Sequence, residues 1–327
     1  MPSKGKKWIV EKHFQGMPKK SDLKIVDFDL PAVKDGSVLL EAVYLSVDPY
    51  MRLFIAQCPL GSVMVGEQIA RVIESKNGNF PVGTNVLVSA GWVSHVVSDG
   101  SDLTKIPPYP EGVPLSLALG TLGMPGMTAN YGLVDICNPK AGEVVVVSGA
   151  AGAVGSTVGQ IAKILGCKVI GFAGSDEKVA WIKELGFDEA FNYKKIDLDA
   201  TLKSVAPKGV DCYYDNVGGE FAATVLANMA RLGRIACCGA ISGYNDTSPL
   251  KVPAVQSTLI TKEIKMQGLL IFSHIARYPE WINRNIGWIK EGKLKYKEQI
   301  TQGFDNMFDA FMGLFSGKNT GKAVVKV

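Results

Sequence analysis

The sequence predicts an α/β protein in two parts: a small antiparallel, barrel-like β domain first, and a doubly wound parallel sheet after it. Three observations carry this. Over the first hundred or so residues, short apolar runs alternate with turn residues. From about Leu115, longer helical segments alternate with strand-like runs. Finally, Val144-Val145-Val146-Val147-Ser148 leads directly into a glycine-rich turn and a helix start.

In the first part the strand-like runs are Trp8-Ile9-Val10, Ser37 to Tyr44, Gln68 to Ile73, Asn85 to Val88 and Val93 to Val97. Pro31, Gly36, Pro81-Val82-Gly83 and Gly91 punctuate them, as turns between short strands require. In the second part the runs are Val144 to Ser148, Lys168 to Ala173, Ala190 to Tyr193, Val210 to Asp215, Arg234 to Gly239 and Lys265 to Phe272. Helices are expected to begin near Gly155, Asp176, Asp197 and Gly219, with another around Pro279 to Lys290. Such alternation builds a parallel sheet with right-handed crossovers. An amphipathic helix, Phe304 to Phe315, and a strand, Lys322 to Val327, end the chain. Periodicity leaves open whether that strand joins the parallel sheet or returns to the β domain.

Four consecutive valines suit a strand covered on both faces. The turn Gly149-Ala150-Ala151-Gly152-Ala153-Val154-Gly155 has GxxGxxG spacing, and Val154, Val158, Ile161, Ala162 and Leu165 give the following helix an apolar stripe. Glycines here let backbone N–H groups approach a diphosphate at the positive end of a helix. The plainer alternative is a glycine-rich turn with no ligand. The next strand ends at Ala173-Gly174, where an NAD site usually carries a carboxylate for the ribose 2′-hydroxyl. No acid stands there to repel a 2′-phosphate, and Lys178 follows on the next turn, so NADPH is expected rather than NADH. Asp176 dissents, since it would serve the ribose if the strand ran one or two residues longer. Ser175-Asp176-Glu177-Lys178 also reads as a helix cap with acids in its first turn, and the two readings are compatible.

A chain of 327 residues with 47 % hydrophobic content can bury about two cores. The formal charge of +4 is spread out, and the one basic run, Lys4, Lys6 and Lys7, reads as a solvated end, so no nucleic-acid partner is expected. No apolar stretch reaches membrane-spanning length and the first residues lack a signal-peptide core, which makes the cytosol the default compartment. Cys58, Cys137, Cys167, Cys212, Cys237 and Cys238 form no C-x-x-C pair and read as reduced, mostly buried thiols. The only histidines, His13, His95 and His274, lie far from them in sequence, so no metal site is expected.

Four segments resemble the zinc-independent medium-chain dehydrogenase/reductase family along essentially the whole chain. They are Val47-Asp48-Pro49-Tyr50-Met51-Arg52, Leu119-Gly120-Thr121-Leu122-Gly123-Met124-Pro125-Gly126-Met127-Thr128-Ala129, Asp215-Asn216-Val217-Gly218-Gly219-Glu220 and Cys238-Gly239-Ala240-Ile241-Ser242-Gly243-Tyr244-Asn245. The resemblance implies a GroES-like domain of residues 1–118 completed by 300–327, a Rossmann NADPH domain of residues 119–299, a cleft between them, and a cytosolic homodimer. Zinc-dependent relatives place a His in a Gly-His-Glu segment where this chain has Gly66-Glu67-Gln68, and the cysteine-rich zinc loop is missing. By resemblance, Gly152, Ala153, Val154 and Gly155 cradle the pyrophosphate, and Lys178 and Tyr193 bind the 2′-phosphate. Asn216 lies beside the cofactor, Cys238, Gly239, Ala240, Ile241, Ser242, Gly243 and Tyr244 wrap the nicotinamide side, Leu269, Leu270 and Ile271 line its ring, and Asn319 reaches back to it. On the residues alone, Tyr193 reads as a strand-end aromatic and Asn216 as a turn residue.

The implied reaction is NADPH-dependent reduction of an alkene conjugated to a carbonyl, in small lipid substrates such as 15-oxoprostaglandins, 2-alkenals and enones. Oxidation of a leukotriene hydroxyl is the implied reverse activity. Negative charge building on the carbonyl oxygen needs a donor placed in advance. Tyr244 is the catalytic candidate, with packing over the cofactor as its other reading, and the nicotinamide ribose hydroxyl is a second donor. Tyr50, Met51 and Met124 are expected in the apolar wall of the substrate site, where thioethers adapt to varied chains, though Met is equally common core filler. Arg52 is read either as a partner for a fatty-acid carboxylate or as a solvent-facing residue. Mammalian relatives of the prostaglandin type carry Tyr where this chain has Thr261, which points to smaller alkenals and enones. The alternatives are a zinc-free NADPH quinone reductase and a cofactor-binding scaffold without turnover.

Overall fold

The structure, a computed structural model, describes residues 2–248 and 251–327. In chain order its strands are β1 Lys4–Val10, β2 Leu23–Asp29, β3 Val38–Ser46, β4 Gln68–Ser75, β5 Asn85–Val88, β6 His95–Ser98, β7 Thr104–Lys105, β8 Val144–Val147, β9 Lys168–Ala173, β10 Glu189–Asn192, β11 Val210–Asp215, β12 Met229–Cys237, β13 Lys265–Gly268, β14 Glu298–Gln302 and β15 Lys322–Lys326. The α-helices are α1 Met51–Phe54, α2 Met124–Asn130, α3 Ala153–Ile164, α4 Asp176–Glu184, α5 Leu198–Val205, α6 Gly219–Ala227, α7 Gln256–Lys262, α8 Tyr278–Lys290 and α9 Met307–Phe315. Two compact units result: Met1–Leu119 with Glu298–Val327, and Gly120–Lys297.

The first unit is a β domain whose main sheet runs β14-β15-β3-β4-β5-β7, with β6 also on β3. β15 pairs antiparallel with β3, Val324 opposite Ser46, and parallel with β14. The place of the last strand, which periodicity leaves open, is therefore in the β unit. Trp8, Leu45, Met51, Trp92 and Phe311 build one core and Val38, Leu40, Val72 and Val86 another. The basic run is not a loose end. Lys4, Lys6 and Lys7 belong to β1, which pairs with β2, and its alternation turns Trp8 and Val10 inward while Lys7 lies over the Phe28 ring.

The second unit is a six-stranded, all-parallel sheet in the order β10-β9-β8-β11-β12-β13. Numbered within the unit this is 3-2-1-4-5-6, the dinucleotide-binding order, whose topological switch lies between β8 and β11. The valine run is explained by its two covers. Val145 and Val147 pack with Val158 and Ile161 of α3, whereas Val146 packs with Leu202, Val225 and Ile235 on the opposite face. In this sheet two strands, β12 and β13, differ from expectation by more than one residue. β12 starts at Met229, its backbone bent at Leu232 with φ 63°, and ends at Cys237, because Cys238 and Gly239 turn inward to donate to the Asp215 carbonyl. β13 stops at Gly268, and Ile271–Arg277 coils into 3-10 turns.

Candidate functional site

The glycine turn joins β8 to α3. Gly149 has φ 58°, a left-handed conformation that favours glycine, and Gly152 caps α3 with extended backbone and no side-chain bond. A Cβ on Gly155 would stand 2.4 Å from the Gly149 carbonyl oxygen and 2.9 Å from the Ala150 Cα, so only glycine lets the helix sit this close. The first-turn N–H groups of Ala153, Val154 and Gly155 have no acceptor within the helix. A bare, positive helix end at the switch point fits a pyrophosphate.

The turn after β11 is stitched to this one. Asp215, buried at the strand end, accepts at Oδ1 from the Tyr213 hydroxyl (2.7 Å), Gly218 N (2.9 Å) and Val217 N (3.0 Å). Asn216 donates its amide to the Ser148 carbonyl at 2.8 Å. Burial, together with Asp215, pushes the Tyr213 phenol well above its ordinary pKa, keeping it a donor.

At the end of β9 the acid expected of an NAD site is absent, and the dissenting residue is otherwise engaged. Asp176 accepts from the Asn192 amide at 2.8 Å and from the Lys195 ammonium, and these bonds hold its pKa below the usual carboxylate range. Ser175 Oγ caps α4 at Lys178 N. Burial, followed by the neighbouring Lys194 charge, lowers the pKa of Lys178. Tyr193 is 45 % exposed, edge-on to Phe221, and its ring lies 3.4 Å from where a Cβ on Gly174 would stand. Lys194, with Nζ 5.9 Å from the Tyr193 ring centre, is a residue that sequence reasoning missed. Its signal was the strand-end run Asn192-Tyr193-Lys194-Lys195. Two mutually repelling ammoniums beside an aromatic hydroxyl form a site that an anion relieves.

The segment after β12 folds over the same sheet end. Cys238 and Gly239 donate to the Asp215 carbonyl at 2.8 and 3.0 Å, the Ser242 hydroxyl donates to the Val217 carbonyl at 2.7 Å, and Ile241–Gly243 form one 3-10 turn. Tyr244 oxygen accepts from Ala240 N at 3.1 Å, and burial raises its pKa, so its own proton stays on and is available to donate. Burial likewise pushes the Cys238 thiol up to about 12. Leu269 donates its N–H to the Cys237 carbonyl, Leu270 is exposed and Ile271 is buried. Met124 opens α2 and is buried, its carbonyl accepting the Thr128 hydroxyl at 2.8 Å. Thr261 is exposed near the end of α7, its hydroxyl bonded to the Ser257 carbonyl.

The remaining site residues belong to the β unit. Tyr50 stands edge-on to Phe54 just before α1. Met51 is fully buried in the core with Trp92, so it packs the interior and does not face a ligand. Arg52 is not solvent-facing either. It lies over the Phe14 ring and donates to the Phe14 and Gly16 carbonyls at 3.3 and 3.1 Å, which engages the guanidinium expected to receive a substrate carboxylate. Asn319 bonds the Gly321 carbonyl at 3.2 Å. Among the described residues no group of three or more His, Cys, Asp or Glu side chains is placed to hold a metal ion.

Residues 6–106 match the N-terminal domain of oxidoreductase, and residues 153–286 match the zinc-binding dehydrogenase domain. Prostaglandin reductase 1 of Bos taurus is 53 % identical over 324 residues, covering 98 % of both chains. The chain belongs to the medium-chain dehydrogenase/reductase family. Within this family, the NADP(+)-dependent 2-alkenal reductase of Nicotiana tabacum is 44 % identical, covering 98 % of this chain and 97 % of its own. The crystal structure of CurA from Vibrio vulnificus in complex with NADPH superposes with a TM-score of 0.93 at 40 % identity, covering 98 % of this chain and 99 % of the other. The medium-chain reductase fold thus accounts for both units, the β domain and the parallel-sheet domain alike.

Proposed function

We propose that this medium-chain reductase is an NADPH-dependent enone and alkenal reductase, acting on the alkene conjugated to a carbonyl in 2-alkenals, enones and 15-oxoprostaglandins. A leukotriene hydroxyl is proposed as a second substrate, oxidised to the ketone with NADP+ as the hydride acceptor. The observation that carries the reading is the full-length likeness to prostaglandin reductase 1 and 2-alkenal reductase, on a chain whose glycine cradle sits at the switch point of the sheet. The donor set agrees with the cofactor: Ala153, Val154 and Gly155 offer backbone N–H groups to the pyrophosphate, and Lys178, Tyr193 and Lys194 offer two ammoniums and a phenol hydroxyl to a 2′-phosphate.

Bound NADPH supplies the hydride that reaches the electrophilic carbon. The chain's own part is to bind, orient and donate. Tyr244, its oxygen already accepting from Ala240 N, keeps a hydroxyl proton free to meet the substrate oxygen as charge grows there. Asp215 and Asn216 hold the two turns in register so that the cofactor-facing backbone is preformed. Tyr50 and Met124 are proposed for the substrate side, and Thr261, a smaller side chain than the Tyr of mammalian relatives, leaves room that favours short alkenals.

The deciding experiment is NADPH consumption with a panel of alkenals, enones and quinones, with the products identified. Saturated carbonyl product supports the reading, and hydroquinone as the sole product replaces it with a quinone reductase. Tyr244→Phe lowers turnover while leaving NADPH binding unchanged; an unaltered rate assigns Tyr244 to packing. Assembly as a cytosolic homodimer belongs to the same proposal. Its support is the edge strand β13, which among the described residues pairs with β12 alone and exposes Met266. Light scattering on the purified protein tests it.

A further inference from the structure

A group of buried charges in the β unit lies outside every role assigned above. Lys322, at the start of β15, is 3 % exposed and Asp48 is 6 % exposed. Lys322 Nζ stands 2.7 Å from Asp48 Oδ1 and 2.9 Å from the Val47 carbonyl, and the Ser46 hydroxyl donates to Asp48 Oδ2. Glu67, on the segment leading into β4, feels Asp48 and Lys322. Glu298, beside Lys322 in the β14–β15 ladder, also feels that ammonium and accepts the Ser116 hydroxyl at 2.8 Å. The charged groups facing one another from the turn after β3, the approach to β4, β14 and β15 are thus three carboxyls and one ammonium.

An ion pair this deep is a poor source of stability, because desolvation offsets most of its attraction. Its position gives it another use. Asp48 begins the Asp48-Pro49-Tyr50 turn, and Lys322 directly follows the Asn319-Thr320-Gly321 segment. The pair therefore joins the residue proposed for the substrate wall to the residue proposed for the cofactor.

We propose that Lys322 and Asp48 are positioning residues, a buried ion pair that fixes the Tyr50 turn against the Asn319 segment so that substrate and cofactor binding depend on one contact, tuned by the charge on Glu67. The inference rests on the functional reading above. Burial and Asp48 lift the Glu67 carboxyl to about 7. Above that pH a second carboxylate competes for the single ammonium and loosens the clasp.

The test measures the KM for a small enone and the fluorescence-titrated Kd for NADPH in the full chain. The paired replacement Asp48→Leu with Lys322→Met removes both charges without stranding either. It is expected to melt no lower than the wild type while raising both constants about tenfold. Tyr50→Phe is expected to move only the enone constant and Asn319→Ala only the NADPH constant. A folded double variant with both constants within twofold of wild type overturns the proposal, as does one in which a single constant moves. If the double variant does not fold, the wild type decides. Both constants are expected to rise together above pH 7, and Glu67→Gln to abolish that shared rise; constants that stay flat, or diverge, overturn it. A wild type that binds NADPH but reduces no enone refutes the functional reading, and the NADPH constant still reports the clasp.

Discussion

Asn216 and Ser148 exchange two hydrogen bonds across the switch point. The Asn216 side-chain amide donates to the Ser148 carbonyl at 2.8 Å, and the Ser148 hydroxyl accepts from the Asn216 backbone N–H at 3.0 Å. These residues follow β8 and start the turn after β11, so the pair sets the spacing of the two loops proposed above to face a dinucleotide. Asn216→Ala leaves the Ser148 carbonyl without that donor and is expected to cost about 1–2 kcal/mol of stability. It is also expected to raise the Kd for NADPH, while Asn216→Asp, an acceptor where a donor is needed, does so more strongly. Chemical denaturation and NADPH fluorescence titration read the two effects, and an Asn216→Ala protein with unchanged Kd sinks the spacing argument.

The glycines of the cradle are not equivalent. A Cβ at Gly155 meets the Gly149 carbonyl oxygen at 2.4 Å, a contact between two backbone segments that cannot rotate away, while one at Gly152 meets the same oxygen at 3.3 Å. Gly155→Ala is therefore expected to push α3 off the turn, at about 1–3 kcal/mol and with loss of NADPH binding. Gly152→Ala needs a shift of only a few tenths of an ångström and is expected to retain most of its binding. Equal losses in the two variants contradict the geometry.

Much of this was legible in the sequence, for reasons that individual residues make plain. The valine run and the glycine spacing specify strand, turn and helix locally, so their positions are set by neighbours in the chain. The burial of Arg52 and Met51 is not legible because a short segment after Asp48-Pro49 carries no periodicity, and what packs on them, Phe14 and Trp92, is distant in sequence. β2 escaped notice because Leu23–Asp29 intersperses its apolar residues with Lys and Asp. Lys194 was missed because its relation to Lys178 exists only once β10 lies beside β9.

That relation makes cofactor choice testable. Lys178→Ala removes the more buried of the two ammoniums and is expected to raise the KM for NADPH at least about tenfold, the scale of one charge-assisted hydrogen bond. The KM for NADH and, at saturating NADPH, that for enone are expected to stay as they were. Lys194 is exposed, so Lys194→Ala is expected to have a smaller effect that salt suppresses. Steady-state kinetics at two ionic strengths separates the two lysines. An equal rise for NADPH and NADH removes both from the 2′-phosphate.

Glu67 predicts how stability follows pH. Its carboxyl, at about 7 in the folded chain against an ordinary 4.5, holds a proton between these values that the unfolded chain releases. The folded state thus binds more protons, so the contribution of this group is fully present below about pH 4.5 and is lost as pH rises through 7. Glu67→Gln keeps the neutral shape at every pH. It is expected to match the wild type near pH 5 and to exceed it at pH 8 by about 1–2 kcal/mol, less than the full shift implies because the side chain keeps some contact with solvent. Thermal melts of the two proteins at both pH values check this. A gap between them that is the same at pH 5 and pH 8 means that Glu67 does not carry the proton, and the carboxyl facing Lys322 from β14, Glu298, becomes the group to replace next.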